Sequence, residues 1–185
     1  MESLKSNALP RDGAPPAYDA DYLTVLHKNI DFLRDPEFMA AYHAGMDSGH
    51  KIGRPAGSRA DIHIEWCILV CCWAGHHASL LEGDFVECGT NTGIMSLAIC
   101  NYIDFNRTGR KFYLFDTFSG ITEDQILPEE CEVGRLKENE MFYDDCYDIT
   151  RGNFAPYPNA VLVRGKVPET LPSAPVDKVC YLMPT

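Results

Sequence analysis

The sequence predicts an α/β fold: a Rossmann-like sheet of about four parallel strands, preceded by helices. Three observations carry that expectation. First, Gly83-Asp-Phe-Val-Glu-Cys-Gly-Thr-Asn-Thr-Gly93 reads as a short buried strand, then a tight glycine turn that lets backbone approach a ligand, then the start of a helix at Thr92. Second, Lys111-Phe-Tyr-Leu-Phe-Asp116 reads as another strand closing on an acidic residue, about one βα unit later, where ribose hydroxyls are held in nucleotide-cofactor folds. Third, strand and helix patterns keep alternating to the end of the sequence, which calls for parallel pairing with crossover connections.

Size and composition narrow the possibilities. The 185 residues have room for one domain and a helical preface. They divide into a polar tail over 1–17, a helical segment and loop over 18–57, and the α/β domain over 58–185. A net charge of −11 without a Lys/Arg cluster speaks against nucleic acid or an anionic membrane as partner, because both demand a basic face. No apolar run reaches the roughly 18–20 residues of a membrane span, and the N-terminus lacks a secretory pattern, so the expected location is cytoplasmic.

Taken in order, residues 1–17 carry Pro10, Gly13, Pro15 and Pro16 and bury too little apolar surface to offset ordering. From Asp21, the spacing of Tyr22, Leu26, Ile30 and Leu33 predicts a helix. Asp35-Pro36 caps a second one, with Phe38, Met39 and Tyr42 inward. Glycines 45, 49, 53 and 57 with Pro55 predict a loop. Ser58 and Asp61 resemble a capping box opening a long helix to about Leu80, apolar nearly all round and so packed between sheet and N-terminal helices. Residues 94–102 form a helix, 106–110 a turn and 111–115 a strand. The acidic stretch 121–140 predicts a solvated, irregular segment beside the pocket, able to serve as a lid. A helix is expected at 139–149, strands at 159–165 and 177–182, and a turn or short helix at 167–171.

Eight cysteines raise the questions of disulfides and zinc. Cys67, Cys71, Cys72, Cys88 and Cys100 all fall in apolar runs, where cysteine behaves as a small hydrophobe. Cys67, Cys71, Cys72, His76 and His77 share one helix, but the pairs point in different directions and no second ligand knuckle exists, so core packing is the expected role.

Taken together, Gly83-Asp-Phe-Val-Glu-Cys-Gly with Asn91-Thr-Gly93, Phe115-Asp-Thr-Phe-Ser-Gly120 and Val163-Arg-Gly-Lys-Val-Pro-Glu-Thr-Leu171 resemble the macrocin O-methyltransferase (TylF/MycF-type) family of class I S-adenosylmethionine-dependent methyltransferases. The resemblance runs over roughly 62–182. It implies a class I methyltransferase sheet and S-adenosylmethionine as cofactor, with methyl transfer to a hydroxyl of a sugar or other small metabolite. It also implies that Glu87, Gly89, Thr90, Asn91, Thr92 and Gly93 lie at the methionine end, that Asp116 with Thr117 takes the ribose, and that Gly165 and Lys166 lie near the adenine. From the residues alone, Asp116 could equally be a strand-end turn carboxylate. The expected partner is a small-molecule hydroxyl substrate, and a homo-oligomer stays open.

The resemblance further implies Mg²⁺ held by carboxylates at and beyond the fourth strand, positioning and acidifying the acceptor hydroxyl. Here Val179-Cys-Tyr-Leu182 is followed by Met183-Pro-Thr185, without those ligands, and the expectation is a shortened version of a seven-stranded sheet with an exposed edge. An inactive remnant that binds cofactor, or pairs with a full-length relative, is therefore the alternative. A nicotinamide-dependent oxidoreductase fits less well: aligned on Gly89, its next two glycine positions are Asn91 and Ile94. Among histidines, His50, His63, His76 and His77 are the candidates for a general base.

Overall fold

The computed structural model describes residues 15–26, 28–51, 61–132 and 134–184. At its centre stands a parallel sheet of β3 (Asp84–Cys88), β4 (Phe112–Asp116), β5 (Ala160–Arg164) and β6 (Val179–Pro184) in the order β5-β4-β3-β6. The chain runs outward from β3 to β5 and then returns to the other flank of β3. That reversal makes the crevice between β3 and β6 the topological switch point, where ligands of open α/β sheets bind.

Strand formation follows composition. Phe85, Phe112, Leu114 and Phe115 are essentially inaccessible to solvent, as the runs Phe-Val-Glu-Cys and Phe-Tyr-Leu-Phe require in strands covered on both faces. Side-chain alternation sorts them. Phe85, Phe112 and Leu114 pack with Leu97, Ile99, Phe105, Phe154 and Tyr181 beneath the helices. Val86, Tyr113 and Phe115 face Val161, Val163 and Val176 on the other side. The register Glu87↔Leu114 and Cys88↔Phe115 brings the carboxyl ends of both strands level.

Three helices pack on one face: α1 (Pro36–Met46), α2 (Glu65–Ala78) and α3 (Ile94–Tyr102). They share a core of Phe38, Tyr42, Ile68, Cys72, Ile94 and Ala98. α1 starts as expected, with Asp35 accepting from Glu37 N–H at 2.9 Å and Pro36 in the first turn. Gly45, expected in a loop, belongs to this helix, because a side chain there would put its Cβ 2.5 Å from the Ile94 carbonyl oxygen. Only glycine lets α1 approach the start of α3 so closely.

Other expectations are corrected. The helix expected from Asp21 is a hairpin of β1 (Tyr18–Ala20) and β2 (Leu23–Val25) followed by a 3₁₀ turn, Asp31–Arg34. Asp21 and Tyr22, both at positive φ (49° and 58°), form the two-residue reversal that suits a hairpin's twist. Turn chemistry there overrides the apolar period. The hairpin also absorbs Ala17, whose N–H reaches the Val25 carbonyl at 2.8 Å. Residues 1–14 of the expected tail, the glycines at 53 and 57, and Ser58 lie outside the described residues.

α2 begins at Glu65 and not near Ser58: residues 61–64 carry no regular structure, with His63 in left-handed backbone (φ 55°), and Asp61 spends its carboxylate on the Tyr42 hydroxyl and the His63 N–H. Nor is α2 buried all round: Val70 and Trp73 are 58% and 61% exposed. The acidic segment folds into α4 (Pro128–Glu132) and α5 (Arg135–Phe142), and the helix expected over 139–149 breaks after Phe142 and resumes as α6 (Tyr147–Asn153). No described helix is long and apolar enough to cross a membrane.

Candidate functional site

The turn after β3 is shaped by alternating left-handed residues. Gly89, Asn91 and Gly93 have φ of 98°, 50° and 92°, conformations that glycine and asparagine reach at least cost. Gly93 is needed for space as well, because a Cβ would sit 2.5 Å from the Phe154 ring. Asp116 holds the turn from the next strand: its carboxylate accepts the Asn91 N–H and the Phe118 N–H, both at 2.6 Å. From the opposite side, the Ser48 and Thr92 hydroxyls bond at 2.9 Å. Asn153 Nδ2 donates to the carbonyls of Ser48 and Thr92 at 2.9 and 3.0 Å, and the Thr150 hydroxyl donates to the Asn91 carbonyl at 2.8 Å. α1 and α6 therefore clamp the turn between them.

Above the strand ends lies a cavity of about 680 Å³, a volume in the range of small-molecule sites. Of the residues expected at a site, it brings together Glu87, Gly89, Thr90, Asn91, Asp116, Thr117 and Gly165. Thr92 and Gly93 are not among its lining residues: both are buried, one bonded to Ser48 and the other packed on Phe154. Lys166 also stands apart, in an ion pair with Asp124.

Glu87 is the most informative group. It is 1% exposed, and neither its Oε2 nor the nearby Thr90 and Ser96 hydroxyl oxygens complete a hydrogen bond within the protein. Burial pushes its carboxyl up to about 8; the Ser96 and Thr90 hydroxyls, which stand close but fall short of full hydrogen-bond geometry, offset this in part, and the Asp116 carboxylate adds to it. An orphaned buried acceptor facing a cavity is a group awaiting a donor.

The remaining walls were less visible in the sequence. Gly120, Ile121, Gln125, Arg135 and Tyr143 line one side, which places the acidic segment at the cavity. Asn139 fastens it by exchanging two 2.8 Å hydrogen bonds with the Ile121 backbone. On the other side stand Asp21, His50, Ile62, Ile64 and Cys67. His50 is buried there, whereas His63, His76 and His77 are exposed and do not line the cavity. Cys67, expected in the core, is exposed with its thiol donating to Asp21 Oδ2 at 3.0 Å. Among the described residues, the group of three whose ligand atoms could share a metal ion is Asp61, His63 and Glu65, none of which lines the cavity.

No protein-family model matches this chain, and no curated protein matches it. Among solved structures, it is similar to the O-methyltransferase NovP, with a TM-score of 0.55 and 18% sequence identity over 76% of this chain. The chain spans 61% of NovP. At that identity the likeness speaks for architecture alone: this chain has a Rossmann-like α/β fold with a parallel four-stranded sheet, similar to that of NovP.

Proposed function

We propose that the cavity binds S-adenosylmethionine and that the chain is the cofactor-binding part of an O-methyltransferase acting on a hydroxyl of a sugar or other small metabolite. The observation that carries this reading is the buried Glu87 carboxyl, its Oε2 without a partner, beneath the Gly89–Asn91 turn, with Asp116 closing the neighbouring strand beside the same cavity. That arrangement offers acceptors to a ligand rich in donors and positive charge, and glycine backbone where the ligand must pass closely. The likeness in fold to the O-methyltransferase NovP supports the reaction class.

The cofactor would supply a methyl group already activated on a sulfonium. This chain's own residues bind and orient. Asp116 would take the ribose hydroxyls with the carboxylate capacity left beyond its two backbone bonds, Gly165 would lie beside the adenine, and Glu87 would accept a donor from the methionine end. Residues of the acidic segment, Ile121 and Tyr143 among them, exclude water from the strand ends, which strengthens each of these bonds. Transfer further requires an acceptor hydroxyl in line with the methyl and a group to take its proton.

Calorimetry with S-adenosylmethionine and S-adenosylhomocysteine tests this directly. Both should bind. At pH 7 the Glu87 carboxyl, pushed up to about 8, carries its proton in the free protein, so a cationic ligand favouring the ionised form should release up to one proton to buffer. A folded sample that binds neither compound defeats the proposal.

A further inference from the structure

The cavity has two ends, and their order along the sheet is fixed. Gly165 follows β5 at one flank, then come Asp116 on β4, the turn after β3, and Pro184 on β6 at the other flank. α2 lies over that last flank: Cys71 Sγ meets Met183 Sδ at 3.5 Å. Cys67, one helical turn earlier on the same face, therefore overhangs the β6 end of the cavity, and its thiol donates to Asp21 Oδ2 at 3.0 Å. A ligand with its adenosine over β5 and β4 must extend its tail past the β3 turn toward Asp21.

The hairpin that presents Asp21 is firmly attached. The Tyr18 hydroxyl donates to Glu65 Oε2 at 2.7 Å, and the Tyr18 ring meets Trp66 edge-on. Asp21 itself and Tyr22 form the two-residue reversal of the hairpin, with left-handed backbone at φ 49° and 58°. The tip thus projects a carboxylate into the rim of the cavity. Ile62, Ile64 and Met95 among the neighbouring lining groups are apolar, and the imidazole of His50 stands on the same side.

We propose that Asp21 is a cofactor-tail residue: its carboxylate receives the α-ammonium at the amino-acid end of bound S-adenosylmethionine, so the N-terminal hairpin forms part of the cofactor site. This rests on the cofactor reading given above. Glu87 then serves the part of the ligand closest to the turn, and Asp21 the outer end. The Cys67 thiol donates to Asp21 Oδ2 at 3.0 Å. It thereby orients Asp21.

Two probes separate the tail from the rest of the ligand. S-adenosylhomocysteine carries the amino-acid tail; methylthioadenosine has the adenosine and sulfur without it. The variant Asp21→Asn removes the charge, and asparagine tolerates the left-handed backbone at least as well as aspartate, so the hairpin should persist. Calorimetry of the full chain should show S-adenosylhomocysteine weakened roughly tenfold or more in the variant, with methylthioadenosine unchanged. Equal affinity of both proteins for S-adenosylhomocysteine would overturn the assignment while leaving the cofactor reading intact. A parallel loss of methylthioadenosine would overturn it too, marking the hairpin as scaffold only. Failure of the parent chain to bind either probe would remove the cofactor reading, and this assignment with it.

Discussion

The floor of the cavity and its rim are built on different physics. The floor is the sheet: Phe85 and Phe112 meet each other and both Phe105 and Tyr181 at ring-centroid distances of 5.3–6.2 Å, in a zone where Phe85, Phe105 and Phe112 have no exposure. The rim is assembled from separate stretches of chain fastened by side-chain hydrogen bonds: Ser48 to Thr92, Asn153 to Ser48, Tyr18 to Glu65, and Lys51 Nζ to Asp144 at 2.9 Å. Apolar burial is additive and insensitive to direction, whereas each rim bond depends on two groups meeting at the correct angle. The floor therefore sets stability, and the rim sets shape.

Substitutions on each side would break or sharpen this contrast. Phe85→Ala should have the largest effect, destabilising the chain by about 3–5 kcal/mol through a cavity among rigid rings; urea unfolding measures it, and a loss below about 1 kcal/mol would refute the floor's dominance. Glu87→Gln comes next and depends on pH. The Glu87 carboxyl is raised from 4.5 to about 8 in the folded chain, so its contribution is fully present at pH 4 and is lost as pH rises through 8. The unfolding free energy of the parent should fall across that window by an amount on the order of a few kcal/mol, while that of the glutamine variant stays nearly flat. Ser48→Ala should cost least, about 1–2 kcal/mol, by leaving the Thr92 hydroxyl without its buried partner. Native-state hydrogen exchange should then show faster exchange at Asn91 and Thr92 and none of that change in β4.

The same contrast explains what the sequence could reveal. The floor was legible because its cause is local: runs of Phe, Val and Tyr make strands wherever they fall, and Gly89 to Gly93 announces a turn. Asp116 was legible from its distance to that turn. Rim residues owe their places to partners far along the chain. Asp21 was hidden because Tyr22, Leu26, Ile30 and Leu33 mimic a helical period, while the Asp-Tyr reversal lacks the usual glycine. Gly45 read as a breaker until the carbonyl of Ile94 explained its missing side chain. Thr92, similar in type to Thr90, turns away from the cavity because Ser48 is there to receive it. Nothing within five residues of Thr92 could signal that.

Asp116 has one more consequence. Its carboxylate imposes the shape of the Gly89–Asn91 turn through Asn91 N–H and of its own loop through Phe118 N–H, so the residue expected to hold a ribose has already ordered the backbone around it. The entropy of arranging that backbone is lost when the chain folds and not when a ligand arrives. Association at this end of the cavity should accordingly resemble a key entering a cut lock: rapid, and with little change in the amide protection of the turn.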